Sequence, residues 1–165
     1  MRSQQTLIFE TWRLAGRLAN HFEGVRRDFA LNQTQILVLL ALRRPAHVAP
    51  RKITPTDLSR EVGLSRSTVS MQMTRLIERG LVVGSDLLHA RGARLAKPDR
   101  RTHLYQLTPK GHDVATVLSD FVDDLSAHLV TVLSAKSYRA TVAALISASE
   151  ALESVPHASS KSSRK

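Results

Sequence analysis

Two helix starts stand close together in this chain, and they leave few folds open. Thr54-Pro55-Thr56-Asp57 combines a capping threonine, a proline at the first helical position and an acid in the first turn, the pattern of a helix N-terminus. Leu58 and Val62 supply the inner face of a short helix, and Gly63 ends it. Ser65 then caps a second helix with Val69, Met73, Leu76 and Ile77 on its inner face, stopped at Gly80. Two short helices separated only by Gly63-Leu64-Ser65 make a helix-turn-helix. Leu81-Val82-Val83 follows as a short apolar run, and Leu104-Tyr105-Gln106-Leu107 reads as its returning strand. The two runs form a β-hairpin, and residues 84–98 between them are rich in small and basic types.

The rest of the chain reads as helix. Ile8, Trp12, Ala15, Ala19, Phe22, Val25 and Phe29 recur at helical spacing, so residues 6–29 are expected to form one amphipathic helix. Asn32 starts another, with Gln35 three residues on as its capping-box partner. Ile36–Leu42 is apolar nearly all round, as in a helix buried on most sides, and Pro45 and Pro50 break the segment that follows. Thr108-Pro109-Lys110-Gly111 opens a further helix with core positions Val114, Leu118, Phe121, Leu125 and Leu129. Ser134 caps the last helix, with Tyr138, Val142, Leu145, Ile146 and Leu152 along one side. The fold class is mainly α with a small β-hairpin wing. Aromatic residues make up only 4% of the chain, so the core should be aliphatic. Past Pro156 the Ser/Lys/Arg-rich tail, residues 157–165, cannot build a core and is expected to be disordered.

Charge placement points to the partner. The chain carries a net charge of +10, and the excess is concentrated. Residues 43–52 hold Arg43, Arg44, Arg51 and Lys52 with no acid, and residues 84–101 hold Arg91, Arg94, Lys97, Arg100 and Arg101 against Asp86 and Asp99. The tail adds Lys161, Arg164 and Lys165, and elsewhere bases and acids cancel. A solvated surface mixes its charges, whereas basic loops suit a phosphate backbone. The outward face of the second short helix offers Arg66, Ser67, Ser70, Met71, Thr74 and Arg75. Small residues near its start allow close approach to a major groove, and the arginines reach further. With Thr54, Ser65 and Thr68 at the two helix starts, these are the candidate DNA contacts of the helix-turn-helix.

Residues 30–112 resemble the MarR family of bacterial regulators. The matching stretches are Leu31-Asn32-Gln33-Thr34-Gln35, Leu58–Ser65, Leu76-Ile77-Glu78-Arg79-Gly80-Leu81-Val82, Asp99-Arg100-Arg101 and Tyr105–Gly111. The resemblance implies a winged helix-turn-helix over residues 31–108. It also implies homodimerisation through the helical regions 1–30 and 109–156, a palindromic DNA operator, and repression relieved by a small anionic or phenolic effector. The triplet makes physical sense at a wing. Asp99 can pair with one neighbouring arginine while the other enters the minor groove; which of Arg100 and Arg101 does which stays open. The stretch carrying Arg91, Arg94 and Lys97 makes this wing several residues longer than is usual in the family. Trp12, His21 and Gln35 are the candidate effector residues, placed where the family's pocket lies in many members. A urate site is not supported, since Val38 and Gln72 stand where charged partners are expected.

Other functions find less support. The absence of cysteine excludes disulfides, cysteine-ligated zinc and thiol-based peroxide sensing. Asp120, Asp124 and His128 share one helical face, but two turns span about 11 Å, too far for easy convergence on one ion. A metal-responsive regulator would need His112 or His21 as well. No nucleophile–base set, Gly-rich phosphate loop or apolar carboxylate pair argues for an enzyme, and no cofactor is expected. No signal peptide or membrane-length apolar run is evident, so the chain reads as cytoplasmic. A sequence-tolerant architectural DNA binder is the remaining alternative.

Overall fold

The computed structural model describes residues 2–44, 53–84 and 104–153. Its elements run α1 (Arg2–His21), α2 (Glu23–Asp28), α3 (Gln33–Arg43), α4 (Pro55–Val62), α5 (Arg66–Glu78), β1 (Val82–Gly84), β2 (Tyr105–Leu107) and α6 (Pro109–Glu153). Two compact units divide at Asp120 and Phe121. The first is built around α3. Ile36, Val38, Leu39, Ala41 and Leu42 are buried there, and Leu58, Val69, Met73 and Leu76 close over them from α4 and α5. The core is aliphatic, as the composition implies. Ala115 and Leu118 of α6 complete it.

The capping signals act as expected. Asn32 and Gln35 form a reciprocal capping box, with the Gln35 amide donating to Asn32 Oδ1 at 2.9 Å and the Asn32 amide donating to Gln35 Oε1 at 3.0 Å. Thr54 Oγ1 accepts from the Asp57 amide, and Ser65 Oγ accepts from the Thr68 amide. Gly63 ends α4 at φ 65°, a left-handed conformation that glycine adopts without steric cost. The strands pair antiparallel, Val82 opposite Leu107 and Gly84 opposite Tyr105. The sequence reading missed a third participant: Ile53 exchanges two backbone hydrogen bonds with Tyr105, tying the entry of α4 to the hairpin base.

One expectation needs correction. The helix expected over residues 6–29 is two helices, α1 and α2, which meet at Phe22. Phe22 keeps right-handed backbone angles, so the hydrophobic spacing runs through the junction and hides it. The break expected at Ser134 is present: non-helical backbone angles there, φ 61° and ψ 151°, divide α6 into two helices. The Ser134 hydroxyl still accepts from the Ser137 amide at 3.4 Å, so the capping residue was correctly read. Val142, Leu145, Ile146 and Leu152, on one side of the last helix, are exposed in the single chain, as are Ile8 and Trp12 of α1. Their periodicity is real, but none of the described residues covers them. The basic tail, the wing tip at residues 85–103 and residues 45–52 lie outside the described residues.

Candidate nucleic-acid interface

The helix-turn-helix is seated from beneath and open above. Val69, Met73 and Leu76 of α5 are fully buried, so rotation of the helix would expose a complete apolar stripe. Leu58 does the same for α4. The sequence reading named Gln72 only in weighing a urate site and missed its structural role: it is buried on the inner face and accepts a hydrogen bond from Asn32 Nδ2 at 3.1 Å. This bond joins the middle of α5 to the cap of α3. Its signal was available: a glutamine at core-facing spacing between Val69 and Leu76 must find a buried partner.

The outer face of α5 carries the candidate residues together. Arg66, Ser67, Ser70, Met71, Thr74 and Arg75 are all exposed, and Thr68 is half-buried at the helix start. The hydroxyls of Ser67 and Thr68 lie 2.9 and 2.8 Å from Ser65 Oγ, a small hydrogen-bonded cluster at the N-terminus. The first turn of α5 has no acid, so no carboxylate there offsets the positive end of the helix dipole. Thr54 is partly exposed, and its hydroxyl is engaged with the Asp57 amide and carboxylate. Arg91, Arg94, Lys97, Asp99, Arg100 and Arg101 belong to the wing segment outside the described residues. Among the described residues, Gly84 of β1 pairs with Tyr105 of β2.

Part of the basic excess near α4 serves the fold. Arg43 Nε donates to Thr116 Oγ1 at 3.3 Å, and Arg44 forms a 3.3 Å ion pair with Glu61.

A groove of about 710 Å³ opens between α2, the start of α3 and the end of α5. Arg26, Arg27, Arg75 and Arg79 line it with Glu23 and Glu78, so its walls carry a net +2. Glu23 pairs with Arg26 at 2.9 Å, while Arg79 donates to the backbone carbonyls of Phe29 and Ala30. The Arg26 Nε is buried without a hydrogen-bond partner. Gln35 lines this groove; Trp12 and His21 are exposed on α1 and are not among its lining residues. Of the four arginines only Arg75 was singled out from sequence, as a DNA contact; the grouping escaped notice because α2 and α5 lie far apart in the chain. Asp124 and His128 are exposed on α6, as is Asp120, and among the described residues no group of three potential ligands is placed to hold a metal ion.

Residues 29–92 match the sequence profile of the MarR family. No curated protein sequence matches the chain significantly. Solved structures share the fold. A MarR/EmrR family transcriptional regulator from Acinetobacter sp. ADP1 superposes with a TM-score of 0.72 at 16% identity, covering 94% of this chain and 100% of its own. BpsR of Bordetella bronchiseptica, whose DNA binding is regulated by 6-hydroxynicotinic acid, gives 0.67 at 23% identity over 87% and 98%. The M. tuberculosis regulator MOSR, solved in complex with DNA, gives 0.62 at 20% identity over 88% and 95%.

Proposed function

We propose that the chain is a MarR-family winged-helix transcriptional regulator that binds a palindromic duplex operator as a homodimer and releases it on binding a small anionic effector; the family profile over residues 29–92 and the shared fold support this reading. The observation that carries the DNA reading is the outer face of α5, polar and basic over two turns on a helix locked by three fully buried side chains. The helix enters the major groove with Ser67, Ser70, Met71 and Thr74 toward base edges. Arg66 and Arg75 reach phosphates or guanines, and the hydroxyl cluster of Ser65 and Thr68 with the Thr54 cap lies against the backbone. The basic wing segment, with Arg91, Arg94, Lys97, Asp99, Arg100 and Arg101, tracks the flanking minor groove. Replacing Arg100 and Arg101 with alanine lowers affinity without loss of helix content by circular dichroism.

Two further observations support the finer reading. Ile8, Phe9 and Trp12 are exposed on α1, and Val132, Ile146 and Leu152 on α6. Isolated exposed apolar residues need no explanation, but stripes of them do, and a second copy would cover them. α6 is also the one described helix long and apolar enough, by length and composition alone, to cross a membrane; for a DNA-binding protein acting in the cytoplasm, self-association accounts for the same stripe. The effector is assigned to the arginine-lined groove beside Gln35. Carboxylate is the chemistry that four arginines and two glutamates would admit, and the Bordetella relative responds to a carboxylic acid. Repression, lifted when the effector favours a conformer that does not fit DNA, is the mode proposed.

The deciding experiment is selection from a random duplex library at near-physiological salt, followed by affinity for the winner against scrambled DNA. An enriched inverted repeat bound at least about a thousandfold more tightly supports the specific regulator. Tight but indifferent binding would instead favour an architectural protein, a reading that the concentrated charge of +10 keeps in play.

A further inference from the structure

Met71 is 49% exposed at the centre of an otherwise polar face. On α5 it stands one turn from Ser67 on one side and from Thr74 and Arg75 on the other. Thr74 turns part of its polarity inward, since its hydroxyl donates to the Ser70 carbonyl at 3.2 Å. Ser67 shares its hydrogen bonding with Ser65. The middle of the face therefore presents a thioether and a threonine methyl, flanked by arginines, where a hydrogen-bonding code would call for amides or carboxylates. A major groove displays donors, acceptors and a single apolar group, the C5 methyl of thymine. Phosphates, guanine, adenine and cytosine edges offer nothing that half a methionine side chain could bury against.

We infer that Met71 is a specificity-determining residue that reads a thymine C5 methyl in each operator half-site. This rests on the reading of α5 as the helix that enters the major groove. Neighbouring Thr74 contributes its methyl to the same contact, and Arg66 and Arg75 hold the helix at the depth that brings Met71 onto the base. The flexible thioether adapts to the methyl without a fixed rotamer, so the contact selects for an apolar group rather than for one hydrogen-bonding geometry.

The test replaces thymine by uracil, which keeps every hydrogen-bonding atom and removes only the methyl. In the selected operator, each symmetry-related pair of thymines is replaced in turn, and the affinity of the full chain is measured. For the wild type, one pair should weaken binding about fourfold per half-site, the worth of one buried methyl-sized group. Met71→Ala should bind the thymine operator more weakly and become indifferent to uracil at that pair alone. Met71→Leu, which keeps an apolar side chain, should retain the uracil penalty, and unchanged circular dichroism checks that each variant folds. Equal uracil penalties in wild type and Met71→Ala at every position would overturn the inference, as would a half-site without thymine. Failure to select any operator would instead overturn the regulator reading on which it rests.

Discussion

Gly111 explains in one atom why a Thr-Pro-Lys-Gly turn follows the hairpin. A Cβ built there would lie 1.8 Å from the Leu81 carbonyl oxygen and 2.8 Å from its carbon. The approach is close because Thr108 bridges the same place. Its amide donates to the Leu81 carbonyl at 3.1 Å, its hydroxyl to the Gly80 carbonyl at 2.7 Å. The Gly111 amide in turn donates to the Thr108 hydroxyl at 3.0 Å. Gly111→Ala therefore pushes α6 off the end of α5 or breaks these bonds. A loss of about 3 kcal/mol is expected in urea unfolding at unchanged m. Gly24→Ala, where a Cβ meets nothing within 4 Å, should be neutral or slightly stabilising, by up to about 1 kcal/mol. Equal effects of the two would refute the close-approach argument.

At the scale of elements, what was legible is what local chemistry dictates. Asn32, Thr54 and Ser65 announce helix starts because a side-chain oxygen satisfies an orphan amide wherever it is placed. Thr54→Ala and Ser65→Ala should each cost about 1 kcal/mol. Ser65→Ala should also weaken DNA binding, because it releases the Ser67 and Thr68 hydroxyls; Thr54→Ala should affect binding less. Comparable binding losses from both would show that the effect is only one of stability. What was not legible depends on partners distant in sequence. The Asn32–Gln72 bond, the Arg79 contacts to Phe29 and Ala30, and the Ile53–Tyr105 bridge each join residues tens of positions apart. The groove that unites Arg26, Arg27, Arg75 and Arg79 is invisible for the same reason. Periodicity also reports a face without its cover: the apolar stripe of the last helix is regular in sequence, yet exposed in the single chain.

At the scale of the whole molecule, charge and exposed apolar surface make separate predictions. Lys161, Arg164 and Lys165 of the tail are proposed to add only screened attraction to phosphates. Deleting residues 157–165 should lower non-specific affinity and flatten the salt dependence by up to about 0.9 in slope per lost contact. The apolar stripes govern valency instead. Glutamate at Trp12 and at Ile146, which are 75% and 53% exposed, replaces side chains outside the buried core, so the variant should keep its helix content and most of its thermal stability as a single chain. In the proposed homodimer the same carboxylates would be buried and unpaired, at a cost that separates the copies. Sedimentation velocity should then show a monomer. Because two half-sites bound by linked copies reinforce each other, affinity for the palindrome should fall by about a hundredfold or more, while affinity for a single half-site stays the same. A variant that still sediments as a dimer would place the interface elsewhere. A monomer that retains full affinity for the palindrome would show that operator recognition does not require two copies.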